Sequence, residues 1–464
     1  MNEQPPSLSP AQLKALRKLF PAEDLLTHPA DTLAYSYDNS QRQSLPAAVL
    51  FPREEEQIRA LLEHCNEWRL PLACRGRGTG TAGASIPPAG GLALSMERMG
   101  RILEIDPANR LARVQPGVTN QQLQQAAARE GFFWPPDPTS AAVCTVGGNL
   151  ACNAAGPRAV KYGTCRENTL GLHAVSGAGA LLRTGVRTTK GVVGYDLTRL
   201  IIGSEGTLAV ITEATLKLTP LPEARRTLQA VYKDVHSAAA AVSAIMAQPV
   251  TPSALEFMDA QALAMVRNYS DPGIAEGAGA LLMIELEENA TAIDAAAAQL
   301  ADTARNPGCL GVEIASSREQ VQALWRTRKS LSPALRNVAP RKINEDVVVP
   351  VSHIPRLIDE LTRLAGKHGI TIVNFGHAGN GNIHVNLLID PDDPTQMRAA
   401  DACLDEVFDL VLGLGGTLSG EHGIGLVKRE FVSREIDDPT LNLMRQLKEV
   451  FDPRNILNPG KTLP

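Results

Sequence analysis

The feature that most constrains this 464-residue chain is a glycine-rich stretch, RGRGTGTAGAS, at residues 75–85. It contains GTGTAG, a match to the dinucleotide-binding pattern GxGxxG, which binds a pyrophosphate because a helix begins within it. Here Pro87, Pro88 and then a pair of glycines follow, and these residues do not extend a helix. The stretch is therefore predicted to be a loop rather than the first turn of a Rossmann fold, which argues against NAD as a cofactor.

The same loop is nevertheless suited to phosphate. Gly76, Gly78 and Gly80 alternate with other residues, so that successive backbone N–H groups can converge on an anion. Thr79 and Thr81 add hydroxyl groups, and two arginines add positive charge. The alternative is an ordinary surface turn. The density of glycine favours the phosphate site.

The chain around this loop predicts an α+β fold. AAVLF, a helix from Glu54 to Arg69 and PLAC form a strand–helix–strand opening, and ILEID and LARVQP are typical of a β-hairpin. Thr119 is predicted to cap a helix that runs to about Glu130. VGGNLACNAAG and GSEGTLAVITE are predicted to be two further glycine-rich loops, the second leading into a buried strand.

The sequence pattern changes after Pro222. Strand-like segments such as ALLMIELEE alternate with helical segments such as HIPRLIDELTRLAGKHG, in which apolar residues recur with a period near 3.6. The strands TIVNF and HVNLLI follow, and LNLMRQLKEVF forms a last helix. The alternation predicts a second domain in which helices cover an antiparallel sheet.

Composition limits the cellular setting. The net charge of −5 gives no indication of a nucleic-acid partner. The N-terminus lacks the basic and apolar regions of a secretory signal, and no apolar segment approaches the ~18 residues of a membrane span. None of the seven cysteines forms CxxC, which argues against a disulfide framework, a zinc ribbon and an iron–sulfur cluster. We therefore expect a cytoplasmic protein with reduced thiols, with peripheral membrane contact left open.

Two histidine motifs carry candidate chemistry. GHAGNGNIHVN contains His377 and His384, and SGEHGIG places Glu421 beside His422. Neighbouring side chains of an extended segment point to opposite faces, so Glu421 and His422 are expected to differ in role, one binding a metal and one facing a substrate. Two imidazoles and a carboxylate suit zinc or manganese with open positions. The histidine spacing alone supports a structural turn at least as well.

PLACRGRGTGTAGASIP resembles the pyrophosphate loop of flavin enzymes in the vanillyl-alcohol oxidase superfamily. Four further stretches agree with that superfamily in order and spacing: PPDPTS (135–140), TVGGNLACNAAG (145–156), GYDLTRLIIGSEGTLAVITEA (194–214) and ILNPGK (456–461). Within it the chain is most similar to the FAD-dependent D-2-hydroxyacid dehydrogenases, which include D-lactate dehydrogenase, D-2-hydroxyglutarate dehydrogenase and the glycolate oxidase D subunit. The resemblance implies FAD extended between two small α+β subdomains.

The resemblance also implies which residues bind the cofactor. They are Arg75, Gly76, Arg77, Gly78, Thr79, Gly80, Thr81, Ser85, Pro138, Thr139, Thr145, Gly148, Asn149, Asn153, Gly156, Glu205, Gly206, Ile211 and Asn458. Thr145, Asn149 and Asn153 can hydrogen-bond a ring that has several nitrogen and oxygen atoms. The chain departs from the pattern at Ala155, where relatives usually have a second glycine. No histidine or cysteine stands where a covalent flavin link is expected, which predicts noncovalent FAD.

For the histidine motifs, the resemblance implies that His377, His384 and Glu421 ligate a divalent metal, zinc or manganese, and that His422 is the catalytic base. The residues implied to bind the substrate are Arg328, Ser332, Lys342 and Asn386. Relatives usually carry GHxGDGN, whereas this chain has Asn380 in place of the aspartate. One negative charge near the metal is therefore missing, which leaves the preferred metal open.

The sequence as a whole predicts an FAD-binding domain at 1–222, a substrate- and metal-binding domain at 223–425 and a C-terminal segment at 426–464 that returns to the first. The predicted reaction is oxidation of a D-2-hydroxyacid by hydride transfer to flavin N5, with D-lactate ahead of D-2-hydroxyglutarate and glycolate. A quinone, a cytochrome or an electron-transfer flavoprotein is the expected acceptor, and a homodimer is open. The alternatives are a flavin-binding subunit of a multi-chain glycolate oxidase and a metal-dependent hydrolase that borrowed the fold.

Overall fold

The computed structural model describes residues 8–269, 274, 277–315 and 317–464, and it divides the chain into two compact units. The first unit comprises Met1–Gly156, Gly163–Leu221 and Glu421–Pro464, and the second comprises Pro157–Tyr162 and Pro222–Gly420. The predicted divisions after residues 222 and 425 lie one and five residues from these boundaries. The short piece Pro157–Tyr162 belongs to the second unit, where Lys161 Nζ and Tyr162 Oη donate hydrogen bonds to Glu287.

The strands, in chain order, are β1 (Leu25–Leu26), β2 (Ala48–Leu50), β3 (Leu72–Arg75), β4 (Leu92–Ser95), β5 (Ile102–Asp106), β6 (Leu111–Val114), β7 (Phe132–Phe133), β8 (Thr169–Ser176), β9 (Leu181–Gly185), β10 (Ala209–Lys217), β11 (Thr219–Pro220), β12 (Ala224–Tyr232), β13 (Ala254–Asp259), β14 (Ala280–Glu288), β15 (Cys309–Ile314), β16 (Arg341–Val348), β17 (Thr371–His377) and β18 (Asn382–Ile389).

The α-helices are α1 (Pro10–Leu19), α2 (Pro29–Thr32), α3 (Glu55–Trp68), α4 (Asn120–Arg129), α5 (Val146–Cys152), α6 (Ala159–Tyr162), α7 (Leu197–Ile201), α8 (Val235–Met246), α9 (Ala260–Tyr269), α10 (Ile293–Ala304), α11 (Arg318–Arg336), α12 (Ile354–His368), α13 (Pro394–Gly413), α14 (Val432–Glu435) and α15 (Asp438–Phe451).

The first unit contains a four-stranded sheet of order β1-β2-β4-β3, in which β4 pairs in parallel with both neighbours. Helix α3 connects β2 to β3 and buries Ile58, Leu61 and Leu62 against the sheet. The predicted strand–helix–strand opening is therefore present, with β4 inserted between its two strands. The C-terminal tail completes the sheet, because Leu72 donates to Ile456 O at 2.8 Å and accepts from Asn458 N at 2.8 Å.

A five-stranded sheet of order β5-β6-β10-β8-β9 forms the rest of the first unit's framework. The predicted hairpin is β5–β6, and the predicted helix after Thr119 is α4. Thr119 caps this helix together with Gln122, since each side chain bonds the backbone of the other residue. Trp134 is fully buried in the core beside this sheet and donates its indole N–H to Asn168 O. Both subdomains of the unit are thus α+β.

The second unit is built on a seven-stranded sheet of order β15-β12-β14-β13-β17-β18-β16, in which every pairing is antiparallel. Helices α8, α10, α12 and α13 cover one face, and α9 and α11 pack on the other. The predicted antiparallel sheet covered by helices is confirmed. Residues that lie opposite each other in such a sheet share a face, which makes the register informative about the site.

No helix in the described ranges is long and apolar enough to cross a membrane. The seven cysteines are all free thiols, and four of them are buried. Burial raises the pKa of Cys65 to about 12, and that of Cys403 to about 11. These thiols are therefore protonated at neutral pH and act as small apolar side chains.

Candidate functional site

The predicted phosphate loop, between β3 and β4, contains no helix, as its prolines require. Asn39 fixes one side of the loop, because its backbone N–H donates to Gly80 O at 3.0 Å and its Nδ2 donates to Thr79 O at 3.1 Å. A peptide plane holds its C=O and N–H in opposite directions. The N–H groups of Gly80 and Thr81 therefore point away from Asn39, as a cradle for an anion requires.

The two arginines of the loop have partners inside the first unit. Arg75 is buried, and its Nη1 donates to the carbonyl oxygens of Tyr35 at 2.6 Å and Tyr37 at 3.3 Å. Arg77 forms an ion pair with Glu97 at 2.7 Å. Both side chains therefore stabilise the structure next to the loop. From the sequence, both charges were assigned to phosphate binding, because Tyr35, Tyr37 and Glu97 are distant in the chain and no sequence pattern identifies them as partners.

Gly76 and Thr145 show how closely the predicted cofactor stretches approach one another. A Cβ on Gly76 would lie 2.4 Å from Thr145 Oγ1, so only glycine fits there. Thr145 also caps α5, since its Oγ1 accepts from Gly148 N at 3.2 Å. The stretch VGGNLACNAAG was predicted to be a loop, and this was wrong for residues 146–152, which are helical. The cap compensates for the low helix propensity of two adjacent glycines.

Two asparagines predicted to bind the ring use their side-chain oxygens within the first unit. Asn149 Oδ1 accepts from Asn120 Nδ2 at 3.3 Å. Asn153 has a left-handed backbone, and its Oδ1 accepts from Thr164 Oγ1 at 2.8 Å and Arg166 N at 3.1 Å. These bonds give both residues a part in the local structure that the sequence pattern did not predict.

Gly156 links three of the motifs. Its φ is +91°, and a Cβ there would lie 2.7 Å from Asp137 O. Its N–H donates to Glu421 Oε2 at 2.7 Å. Asp137 directly precedes the predicted contacts Pro138 and Thr139, of which Thr139 is exposed. The stretch 135–140 therefore packs against Gly156, which itself bonds Glu421, the residue that was predicted to be a metal ligand.

Glu205 lies at a second junction. It is buried with φ +52°, and its carboxylate accepts from Ile424 N at 3.1 Å, Gly425 N at 2.9 Å and Thr462 Oγ1 at 2.6 Å. Burial raises the pKa of Glu205, an effect that these donors oppose. Asn458 Nδ2 donates to Glu205 O at 2.6 Å. Glu205 therefore holds the backbone of the last two residues of SGEHGIG, and Asn458 holds the backbone of Glu205. Both residues had been predicted to touch the cofactor.

Four further predicted cofactor contacts lie in loops and in β10 of the first unit. Ser85 donates to Asp38 Oδ2 at 3.0 Å. Gly206 has φ +71°, and a Cβ there would lie 3.2 Å from Asn458 Nδ2. Ile211 is buried in β10, and Gly78 has φ +67°.

In the second unit, His377 and His384 lie side by side. His377 ends β17 and His384 lies in β18, and both are buried. Their ring centroids are 5.2 Å apart and the ring planes are nearly perpendicular at 85°. Phe375 lies opposite His384 in the register, with ring centroids 5.8 Å apart. Two buried imidazoles in contact favour a binding site over the alternative of two stray histidines in a surface turn.

A buried carboxylate stands behind each histidine. His377 Nδ1 is hydrogen-bonded to Glu256 Oε1, and His384 Nδ1 lies 3.7 Å from Asp346 Oδ1. Asp346 also accepts from Asn382 Nδ2 at 2.6 Å and from Gly420 N at 2.8 Å. Burial would raise the pKa of Glu256, but the neighbouring His377 and Arg328 outweigh it and lower that pKa to about 2. A ligating histidine whose second nitrogen bonds a carboxylate is the usual pattern at metal sites.

Sequence reasoning missed Glu256 and Asp346. Each lies in a mostly apolar strand segment, ALEFMD or NEDVVV, that also contains a second acid, Asp259 or Glu345. An acid inside a strand with buried neighbours was the available signal, because burying an unpaired charge is costly. Only the register of β13 and β16 against the histidine strands identifies the partners.

The predicted substrate residues lie on this sheet face or on the helix that covers it. Arg328, in α11, donates from Nε to Glu256 Oε2 at 2.8 Å, and its Cζ lies 4.7 Å from the Phe375 ring centroid. Lys342 and Asp346 lie on the same face of β16, and His384 and Asn386 lie on that face of the neighbouring strand β18. The side chain of Ser332 lies outside the described residues.

Asn386 is fully buried, and its Nδ2 donates to the carbonyl oxygens of Val373 and His384 at 3.1 Å each. This fixes the amide, with Oδ1 directed the other way. Within the described residues, Asn386 Oδ1 has no hydrogen-bond partner. A buried acceptor of this kind is costly to leave unpaired, which fits a group that binds here in the functional state.

The residues present therefore fit both predicted groups. The loop at 75–85 offers the N–H groups of Gly80 and Thr81 to a phosphate, and the histidines offer nitrogen atoms to a metal, with carboxylates behind them. His377 and His384 belong to the second unit, whereas Glu421 and His422 belong to the first. Their assembly into one metal set with a base beside it remains a prediction.

Two protein-family models match separate parts of the chain. A family model described as FAD binding domain matches residues 46–185, and one described as FAD linked oxidases, C-terminal domain, matches residues 221–462. The glycolate oxidase subunit GlcD of Bacillus subtilis is 40% identical over 433 residues, which cover 93% of this chain and 92% of that one. The D-lactate dehydrogenase of Archaeoglobus fulgidus is 35% identical and covers 97% of this chain and 98% of that one.

Solved structures agree on the fold. p-Cresol methylhydroxylase with substrate bound has a TM-score of 0.81 at 18% identity, over 99% of this chain and 98% of that one. Alkyldihydroxyacetonephosphate synthase has a TM-score of 0.77 at 20% identity, over 99% of this chain and 86% of that one. The predicted α+β fold of the vanillyl-alcohol oxidase type is confirmed. From the match over its whole C-terminal half and the identity to full-length relatives, the chain belongs to the family of FAD-linked oxidases.

Proposed function

We propose that the protein oxidises a D-2-hydroxyacid to the 2-oxoacid, with D-lactate as the first substrate and noncovalent FAD as the hydride acceptor. The single observation that carries the proposal is the buried histidine pair, in which Glu256 bonds His377 and Asp346 lies beside His384. The relatives support the substrate class, because they are named as a glycolate oxidase subunit and a D-lactate dehydrogenase.

Each candidate residue has a defined task in this proposal. When bound, FAD would supply the hydride acceptor, and a zinc or manganese ion would supply a Lewis acid for the substrate hydroxyl. His377, His384 and Glu421 would hold the ion. Arg328 and Lys342 bind the substrate carboxylate, for which a guanidinium offers a two-pronged fit. The Oδ1 atom of Asn386 accepts a hydrogen bond from the bound substrate or from water, and Ser332 remains a candidate contact.

His422 is proposed to take the hydroxyl proton. A base of this kind contributes about 10²–10⁴-fold to the rate. The variant His422→Ala is expected to retain FAD and metal but to reduce its flavin about 100-fold more slowly or worse. His236→Ala, an exposed histidine paired with Asp359, serves as the matched control and is expected to react like the wild type. Equal rates for His422→Ala and the wild type would rule out this role.

The test of the reaction is anaerobic. Flavin absorbance is followed while D-lactate, L-lactate, D-2-hydroxyglutarate and glycolate are added in turn to the metal-loaded protein. Bleaching by D-lactate but not by L-lactate is the expected result. If none of the four bleaches the flavin, the dehydrogenase proposal fails. A colourless preparation that cannot be loaded with FAD would instead favour the metal-dependent hydrolase.

A second candidate function is a flavin-binding subunit of a multi-chain glycolate oxidase, favoured by the 40% identical relative that is named as such a subunit. It predicts that glycolate reduces the flavin poorly unless further chains are added. The proposed acceptor in either case is a quinone, a cytochrome or an electron-transfer flavoprotein. Denaturation in acid is expected to release the flavin into the supernatant, since the proposed FAD is noncovalent.

A further inference from the structure

We propose that Glu256 is a positioning residue that sets the geometry of the metal-ligating His377 and the substrate-binding Arg328 at the same time. The inference rests on the proposed function, since it takes His377 as a ligand and Arg328 as the carboxylate clamp. Glu256 touches neither the reacting atoms nor the substrate. It acts through the two residues that do.

The two oxygens of one carboxylate serve the two partners. Oε1 is hydrogen-bonded to His377 Nδ1, and Oε2 accepts from Arg328 Nε at 2.8 Å. Glu256 is 1% exposed, and it lies opposite His377 in the pairing of β13 with β17. The carboxylate is therefore held by the sheet itself, and its partners are fixed relative to that sheet.

The bond to His377 selects the ring nitrogen that can bind metal. Because Nδ1–H is donated to the carboxylate, Nε2 keeps its lone pair and becomes the ligand atom. A carboxylate partner also makes the imidazole a more basic ligand. Loss of the negative charge is therefore expected to weaken metal binding while the imidazole itself remains.

The bond to Arg328 selects which guanidinium atoms meet the substrate. Nε is occupied by Glu256, and the guanidinium carbon lies 4.7 Å from the centre of the Phe375 ring. Held from two sides, the guanidinium presents Nη1 and Nη2 as the pair that binds a carboxylate bidentately. A change at Glu256 is thus expected to alter substrate affinity as well as metal affinity.

The two histidines have different carboxylate neighbours. Asp346, behind His384, accepts from Asn382 Nδ2 and the backbone N–H of Gly420. Glu256 bonds a proposed metal ligand and a proposed substrate ligand with its two oxygens. The proposal therefore predicts that a change at Glu256 alters both the metal affinity and the substrate affinity.

The test compares Glu256→Gln with Glu285→Gln in the full-length, FAD-loaded protein. Glu285 is a suitable control, because it is also buried and bonds Trp325 of α11, the helix that carries Arg328. The ion is removed by chelation, and Mn²⁺ is titrated back while bound metal is measured. We expect Glu256→Gln to bind Mn²⁺ about 10–100-fold more weakly, and Glu285→Gln to bind it like the wild type.

The second readout is the KM for D-lactate at saturating Mn²⁺. We expect Glu256→Gln to raise KM at least about tenfold, because the clamp loses its anchor, with unchanged FAD content. Glu256→Asp keeps the charge but cannot reach both partners, so it is expected to recover part of the metal affinity or of the KM, but not both. This variant also keeps the test decisive if the glutamine variant fails to fold.

Three results would overturn the proposal: a wild type that binds no Mn²⁺, a Glu256→Gln variant with wild-type metal affinity, and a Glu285→Gln variant that loses as much affinity. Failure of the proposed function looks different. In that case no hydroxyacid reduces the flavin, while metal titration still separates Glu256→Gln from its control.

Discussion

The carboxylate of Glu205 and the backbone N–H of Gly425 are joined by a hydrogen bond of 2.9 Å, although 220 residues separate them in the sequence. The same carboxylate accepts from Ile424 N at 3.1 Å. Two backbone amides of the segment that follows Glu421 and His422 thus share one acceptor, and the amide of Gly425 is buried. A glutamate that the family resemblance assigned to the cofactor holds the segment that carries the predicted base.

Glu205→Gln is expected to lower both stability and activity. A glutamine offers one oxygen where the carboxylate offers two, so at least one backbone N–H, that of Ile424 or Gly425, loses its acceptor. The free energy of unfolding should fall by about 1–3 kcal/mol, and flavin reduction should slow because His422 is less well fixed. Urea unfolding and anaerobic reduction measure the two effects. Glu130→Gln, at an exposed helix end, is the control, and equal behaviour of the two variants would contradict the assignment.

Gly156→Ala is expected to cost more than Gly131→Ala. Both glycines have positive φ, +91° and +81°, but a Cβ on Gly156 would lie 2.7 Å from Asp137 O and one on Gly131 would meet nothing within 4 Å. Gly131→Ala therefore measures backbone strain alone, about 1 kcal/mol. Gly156→Ala adds a clash, and it should also lower FAD content. Equal melting temperatures for the two variants would contradict this expectation and would show that the residues around Gly156 move to accommodate a Cβ.

Lys461 predicts a pH dependence of stability. Its Nζ donates to Ala84 O at 2.7 Å and to Asn458 Oδ1 at 3.0 Å, and burial lowers its pKa from 10.5 to about 7. Between pH 7 and 10.5 the unfolded state binds the proton that the folded state has lost, so stability rises with pH in that window. Relative to Lys461→Met, the wild type should gain at most about 1.4 kcal/mol per pH unit.

The check is urea unfolding of both proteins at several pH values from 7 to 9. Lys14→Met, at an exposed position of α1, provides the control and should show no such difference. A wild type that becomes less stable than Lys461→Met as pH rises would mean that the ammonium form is the one the fold stabilises.

His377→Ala is expected to lose bound metal and most activity but to keep FAD. One nitrogen donor disappears, and Glu256 loses one of its two partners, His377, while Arg328 remains. Metal analysis and flavin absorbance of the same preparation measure both contents. Chelation of the wild type should reproduce the loss of activity and readdition of Mn²⁺ should reverse it. Full activity after complete chelation would exclude a metal from the reaction.

Local signals in the sequence predicted much of this architecture. Apolar periodicity identified α12, and Thr119 identified the start of α4. Glycine and proline spacing identified the loop after β3. The two histidines were found as candidates because their motif is compact in sequence. In each case the information lies within one short segment of the sequence.

Other features depend on contacts between distant segments. Glu256 meets His377 only through strand register, and Arg75 meets Tyr35 only through tertiary packing. Helix α5, which follows Thr145, forms although it contains two adjacent glycines. Its cap and packing outweigh the low helix propensity of glycine. Physical rules predict which groups need partners, but the fold decides which partners they have.

The pairing of Leu72 with Ile456 and Asn458 has a consequence for how the chain matures. A ribosome releases residues from the N-terminus onward, so the first four-stranded sheet lacks this pairing until almost the whole chain has emerged. The second unit ends at Gly420 and has all of its residues earlier. Domains generally fold as units during synthesis. The interrupting unit is therefore ready to fold first, and the unit that surrounds it in sequence closes last, when supply of the flavin can still influence the outcome.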